Sequence, residues 1–352
     1  MTTTSGQTAL NDQPAPHTRG QSALVQCGII GFGKMGRIRA QSIEESGRGA
    51  VSLIYDPHLN ADPPYNAAPD PEAVLSAEEV DAVFVCTPNF QNKALTIAAL
   101  QAGKHVFCEK PPAFTAADVE EIMEAEQASG CKLMYGFNHR HHESIKTAKA
   151  AVDSGEFGRL LWMRGRYGKS VDDSFFATWR ADKALAGGGI LLDQGIHMLD
   201  LMLYFAGDFD DVQAMVSSLY WNLDGIEDNV FANFRNTKTG VVASLHSTMT
   251  QWRHLFSLEI FLSGGHIVLN GLKTSSNSYG EEVLTMERNA MAGPAVHWQD
   301  TQRISYDTDT SWASEADHFL ACVSGDQPVT QGCSTDALRV MRLIGKVYDH
   351  SR

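Results

Sequence analysis

Asp193 and His197 stand four residues apart in the run Gly187-Gly188-Gly189-Ile190-Leu191-Leu192-Asp193-Gln194-Gly195-Ile196-His197-Met198-Leu199-Asp200. On a helix from near Ile190 to Phe205, that spacing puts both side chains on one face. Asp200, one turn past His197, is placed to orient or charge-tune the imidazole. An imidazole exchanges a proton near neutral pH, and a nearby carboxylate can hold its tautomer or share a substrate hydroxyl. The same spacing also fits a structural histidine, with an Asp placed by the helix dipole.

A second set of residues suits a dinucleotide. Gly31-Phe32-Gly33-Lys34-Met35-Gly36 follows the strand-like Val25 to Ile30 and precedes a helical run from Arg37 to Ser46. Gly31 permits the tight turn, Gly33 lets a pyrophosphate approach, and Gly36 lets the helix pack on the strand. The helix N-terminus offers free N–H groups to the anion. A second strand, Val51 to Tyr55, ends in Asp56, 20 residues past Gly36 (56 − 36). That is where an acid meets the ribose hydroxyls of NAD and repels the 2′-phosphate of NADP. Pro57-His58-Leu59 supplies no arginine for that phosphate, so NAD is the expected cofactor, ahead of NADP.

These sets need a scaffold. Strands at Ala82–Cys86, His105–Cys108 and Lys132–Tyr135 alternate with helices over Gln91–Ala102 and Ala116–Ser129. Apolar strands alternating with helices predict a doubly wound parallel sheet, whose ligands sit at the carboxyl ends of its strands. Asp56, Thr87, Asn89, Glu109, Lys110 and Asn138 all fall at those ends. From about 144 strands dominate: Leu160–Tyr167, Val212–Tyr220, Val230–Phe234, Val241–Met249, Phe256–Leu262 and His266–Asn270. Phe256, Leu258, Ile260 and Leu262 alternate with polar residues, the period of a largely antiparallel sheet. Such a sheet needs cover on both faces, which a second subunit could supply. Residues 271–310 are polar and poorly patterned, and two closing helices follow. The expected division is a tail at 1–22, a dinucleotide domain at 23–143, and a substrate and oligomerisation domain at 144–352. The last helix is a candidate to pack back on the first domain.

Composition narrows the function. The chain has 352 residues, 43% of them hydrophobic, and a formal charge of −14, which argues against nucleic-acid or anionic-membrane partners. No stretch reads as a signal peptide or a membrane span. Six scattered cysteines form no CxxC or zinc pattern and suit a reducing cytoplasm. His139-Arg140-His141-His142 lacks supporting ligands, so no metal is expected, and these residues are read as solvent-facing or substrate-side. Arg164 and Arg166 share a strand face, and with Lys169 and Trp252-Arg253-His254 they could hold a carboxylated or phosphorylated sugar.

Four stretches together resemble the Gfo/Idh/MocA oxidoreductases: Gly31 to Gly36, Thr87-Pro88-Asn89, Glu109-Lys110-Pro111, and Gly187 to Asp200 with its Asp-x-Gly-x-His core. The resemblance covers nearly all of the chain after the tail. It implies an N-terminal Rossmann domain and a C-terminal domain with a large open antiparallel sheet, often used to form oligomers. It implies that Lys110 sits between nicotinamide and substrate and holds the reacting hydroxyl, that Asp193 orients the sugar, and that His197 is the acid–base group. Thr87, Pro88, Asn89 and Glu109 would line the nicotinamide side, with Asn138 beyond. Trp179-Arg180 would lie against cofactor or substrate, and Arg166, Tyr167 and Lys169 against substrate. One departure is Asn92, where many relatives carry histidine, so a cofactor contact there is expected to differ.

The expected activity is NAD-dependent interconversion of a secondary alcohol and a ketone on a sugar, an acidic or nucleotide-linked sugar derivative, or a cyclitol, by a cytoplasmic homo-oligomer. The alternatives are a sensor of NAD or sugar without turnover, and an NAD-dependent glycosidase.

Overall fold

A computed structural model describes residues 24–274, 276–289 and 301–350. The expected tail at 1–22 lies outside them. The chain first builds a five-stranded sheet from β1 (Val25–Ile30), β2 (Gly49–Tyr55), β3 (Ala82–Val85), β4 (His105–Cys108) and β5 (Leu133–Tyr135). Its order is β2-β1-β3-β4-β5 and every pairing is parallel. The helices between are α1 (Lys34–Glu45), α2 (Pro71–Ser76), α3 (Asn89–Gln101) and α4 (Ala116–Ser129). β3 is buried at all four positions, because helices cover both of its faces. The strand order reverses between β1 and β3, and the crevice at such a switch point is where ligands bind.

A 3-10 turn (Asn138–His141) and helix α5 (Glu143–Asp153) lead to the second sheet. Its strands are β6 (Leu160–Gly168), β7 (Asp211–Ser217), β8 (Asn229–Arg235), β9 (Val242–Thr248), β10 (Leu255–Leu262), β11 (Gly265–Asn270), β12 (Glu282–Arg288) and β13 (Gln302–Tyr306). They run β13-β12-β11-β10-β6-β9-β8-β7, antiparallel except for β6 beside β9. β12 and β13 fall inside the stretch that looked unpatterned. Leu284 and Met286 do alternate with Thr285 and Glu287, but β13 is a mostly exposed edge with little apolar signal.

Between the strands lie a short helix α6 (Lys183–Ala186) and α7 (Ile196–Ala206). Among the eleven residues of α7 nine are buried, and it lies flat on β6. Gly165 permits this approach, since a Cβ there would meet Met198 Sδ at 2.5 Å. The closing helices are α8 (Ser311–Ser324), which packs on α1, and α9 (Ser334–Asp349), which touches α4, β5, α7 and β7. Both therefore return to the first sheet. Among the described residues, no helix is long and apolar enough to cross a membrane.

Candidate active site

The glycine turn has the shape that a pyrophosphate requires. Gly31 holds φ +92°, and a Cβ there would sit 2.6 Å from the Cys86 carbonyl oxygen. A Cβ on Gly36 would collide with the Gly31 oxygen at 2.1 Å, while Gly33 faces open space. No side chain caps α1, so its first N–H groups, from Lys34 and Met35 onward, are free to bind an anion. Asp56 closes the turn. Its Oδ2 accepts from the Phe32 N–H at 2.7 Å and its Oδ1 from the His58 N–H at 2.9 Å. Each oxygen keeps a further lone pair for a ribose hydroxyl. These residues fit a dinucleotide.

Past the carboxyl end of β4, Lys110 leaves the first sheet and reaches the second unit. Its Nζ donates to the backbone oxygen of Asp193 and lies 3.4 Å from Asp193 Oδ1. Asp193 also takes Lys169 Nζ at 2.9 Å and faces Arg180 Nε at 3.6 Å. Burial alone would raise this carboxyl, but Lys169, Lys110 and Arg180 outweigh it and hold the group well below the usual carboxylate range. Burial, only partly offset by Asp193, lowers the Lys110 ammonium. Burial and then Lys110 push His197 well below an ordinary imidazole. At neutral pH the site therefore holds a neutral imidazole, an ionised Asp193 and nearby cations.

Local chain geometry brings these groups together. Residues Leu191–Gly195 form a π-helical turn that leads into α7, rather than the uninterrupted helix expected from Ile190. Such widened turns re-aim side chains and recur at functional sites. Buried Glu227, on the approach to β8, holds the turn in place: it accepts from the N–H groups of Gly189 at 2.7 Å and Leu191 at 2.9 Å. Gly189 is required here, since a Cβ would lie 2.1 Å from the Glu227 carbonyl oxygen. Sequence reasoning missed Glu227, which is 38 residues from Gly189.

Asn92, noted in the sequence only as a departure from relatives, has a structural role. Fully buried, it donates from Nδ2 to the carbonyls of Glu109 at 3.2 Å and Pro111 at 2.8 Å, and accepts from the Thr87 hydroxyl at 3.2 Å. It clamps the loop that carries Lys110. Pro88 starts α3, and Asn89 ties α3 to the Ala186 carbonyl at 2.8 Å.

Several expected contacts are corrected. Glu109 turns one oxygen, Oε1, inward to Arg39 at 2.6 Å, which also pairs with Glu315 at 2.7 Å. Asn138 is spent on Ser311 at 3.1 Å and His139 at 3.1 Å inside the protein. Asp200 does not reach for His197; both its oxygens are taken by Arg140, at 2.6 and 2.8 Å. His139 to His142 are buried rather than solvent-facing. Arg166 points to the exposed face of β6, bonding Ser257 at 3.0 Å, while adjacent Tyr167 faces the interior, as the two-residue period demands. Arg164 shares that outer face and pairs with Glu259 at 2.8 Å. Trp179 supports Arg180, whose guanidinium lies 4.3 Å from the ring centre. His254 lies beside the site, edge-on to Tyr279 at 4.8 Å, whereas Trp252 is exposed. Among the described residues, no group of three or more His, Cys, Asp or Glu is arranged to hold a metal ion.

A dinucleotide turn on one sheet, with half-buried Lys110 and Asp193 and buried His197 where it meets the second, is the equipment of a nicotinamide-dependent oxidoreductase. Family models agree: residues 25–137 match the oxidoreductase family with an NAD-binding Rossmann fold, and residues 145–268 match the GFO/IDH/MocA C-terminal domain. The chain belongs to the GFO/IDH/MocA oxidoreductase family. It is 33% identical over 155 residues to levoglucosan dehydrogenase of Pseudarthrobacter phenanthrenivorans, covering 44% of this chain and 40% of that protein. It is 27% identical over 314 residues to myo-inositol 2-dehydrogenase of Thermotoga maritima, covering 78% and 92%. A solved levoglucosan dehydrogenase in complex with NADH and levoglucosan shares the fold, with a TM-score of 0.80 at 21% identity over 94% of this chain and 97% of that one.

Proposed function

We propose that this protein interconverts a secondary alcohol and a ketone on a sugar or cyclitol, using NAD. The observation that carries this reading is the Lys110–Asp193 contact past the carboxyl end of β4, with buried His197 four residues beyond Asp193 and under the charge of both. The names of the two curated relatives, a levoglucosan and a myo-inositol dehydrogenase, support the substrate class.

The nicotinamide, when bound, takes or returns a hydride at the carbon bearing the reacting oxygen. The protein handles the rest. Lys110 donates a hydrogen bond to that oxygen and stabilises the negative charge that grows on it. Asp193 orients a neighbouring hydroxyl and holds the Lys110 ammonium in place. His197 takes the hydroxyl proton in oxidation and returns it in reduction, a role suited to an imidazole that rests neutral. No observation favours a sensor without turnover or a glycosidase over this reading.

The substrate pocket carries three cations, Lys110, Lys169 and Arg180, around one carboxylate, Asp193. That surplus suits a carboxylated or phosphorylated sugar. The outer face of the second sheet carries ring stacks, Trp162 on Phe261 at 4.0 Å and Phe231 on His246 at 4.0 Å, and we read it as a homo-oligomer contact. Six free cysteines suit a reducing cytoplasm. The test is NADH formation with levoglucosan, myo-inositol, glucuronate and UDP-glucuronate. Turnover of at least one is expected; tight NADH binding without turnover of any polyol would favour the sensor.

A further inference from the structure

Three buried imidazoles lie behind the site. His197 stacks on His139 with ring centres 4.0 Å apart, and His139 meets His142 edge-on at 5.8 Å. His139 has both nitrogens engaged, Nδ1 with Asn138 Oδ1 at 3.1 Å and Nε2 with the Tyr167 hydroxyl at 3.1 Å. Asn138 Nδ2 donates to Ser311, which fixes the amide so that Oδ1 faces His139. An amide oxygen only accepts, so His139 Nδ1 carries a proton, and burial, with His197 next, holds the ring well below an ordinary imidazole, so it is neutral.

His142 is held differently. Its Nδ1 lies 2.9 Å from Glu282 Oε2, which also accepts from the Lys273 N–H at 2.8 Å. Burial alone would raise the Glu282 carboxyl, but the bond from His142 and the one from Lys273 hold it below its usual range. An ionised carboxylate only accepts, so Nδ1 of His142 carries a proton. That Nε2 is sealed from solvent, as is Nδ1 of His197, and among the described residues neither has a hydrogen-bond partner. Buried polar atoms are nearly always satisfied.

For His197 to take a proton at Nε2, its Nδ1 must already carry one and be a donor. A His142 protonated on Nδ1 alone would offer its Nε2 as the acceptor in the same cluster. We propose that His142, with its proton on Nδ1 alone, and Glu282 are a positioning pair behind His197, joined to its Nδ1 through one buried water. The pair would fix the tautomer of His197 and place a carboxylate behind the imidazolium it becomes. The other carboxylates nearby are already engaged, Asp193 with Lys110, Lys169 and Arg180, and Asp200 with Arg140. The remaining charged or titratable groups that act on His197 are Lys110, His142 and, more distantly, Arg39, beside the stacked His139.

This inference rests on His197 as the acid–base group, and its test is separate from that reading. The experiment is imidazole nitrogen NMR of the NADH-bound wild type, His142→Phe and Glu282→Gln. In the wild type, His197 is expected to carry its proton on Nδ1 and to exchange it slowly with solvent. Both variants are expected to speed that exchange by about tenfold or more and to lose the single tautomer. A wild-type His197 protonated on Nε2, or folded variants with unchanged tautomer and exchange, would overturn the pair. If a variant fails to fold, the wild-type tautomer alone decides. Failure of the acid–base reading looks different: His197→Ala would turn over normally whatever the spectra show.

Discussion

Lys110 and Asp193 lie 83 residues apart in the chain, yet the Lys110 ammonium touches both the backbone oxygen and the carboxylate of Asp193. One residue hangs from the parallel sheet and the other from a π-turn over the second sheet. The contact spans the crevice where cofactor and substrate must meet. Replacing Lys110 with Met should lower kcat by about 10²- to 10³-fold, the usual scale for removing a stabiliser of developing charge. NADH affinity by fluorescence titration should change little. A parallel loss of NADH binding would move Lys110 out of the chemistry and into the cofactor site.

Asn92→Ala tests whether the Lys110 loop needs its clamp. The change leaves the carbonyls of Glu109 and Pro111 without their buried donor. Stability should fall by about 1–3 kcal/mol. A displaced Lys110 should also lower kcat by about tenfold to a hundredfold. Thermal melts and steady-state rates read the two effects, and an unchanged kcat would argue that the loop holds itself.

The Arg140–Asp200 pair is a structural tie. Arg140 is buried, bonds both oxygens of Asp200 and also meets Asp336 at 2.8 Å, so it links the 3-10 turn, α7 and α9. Arg140→Met strands a buried carboxylate and should cost about 3–5 kcal/mol in chemical denaturation. A smaller cost from Asp200→Asn would fit, since an amide still accepts from the guanidinium.

Stability should also depend on pH through Glu315. Burial, relieved only in part by Arg39, pushes its carboxyl up to about 8. A carboxyl raised on folding holds its proton in the native state after the unfolded chain has released it. Its stabilising contribution is complete below the unfolded pKa and is lost as pH rises toward about 8. Between those limits the wild type should become less stable with rising pH. Glu315→Gln should flatten that slope in urea melts taken across the range; an identical slope in the variant would contradict the assignment.

What the sequence revealed divides by the distance over which each group is determined. The glycine turn and the Asp193 and His197 spacing are local, because backbone shape and helix period restrict the residue types within one turn, and Asp56 follows from a fixed strand–helix–strand spacing. Lys110 was legible as a residue at a strand's carboxyl end, and its expected role came from the resemblance of its loop to a family motif. The buried partners of Glu109, Asn138 and Asp200 were not legible because they stand 70, 173 and 60 residues away, and an acid or amide at an element end reads the same whether it faces a ligand or another buried side chain. Arg166 and Tyr167 could not both face the substrate, since neighbours on a strand point to opposite faces. Burial chose Tyr167 for the inside. The π-turn and its Glu227 anchor left no periodic trace. β13 was hidden because an exposed edge strand carries little apolar alternation.

The central claim is that His197 moves the proton. The most direct measurement follows NADH absorbance in wild type and His197→Ala, with NAD and whichever polyol the wild type oxidises, beside NADH binding to both. In His197→Ala, kcat should fall by about 10²-fold or more with NADH affinity retained. Turnover by His197→Ala at the wild-type rate would contradict it.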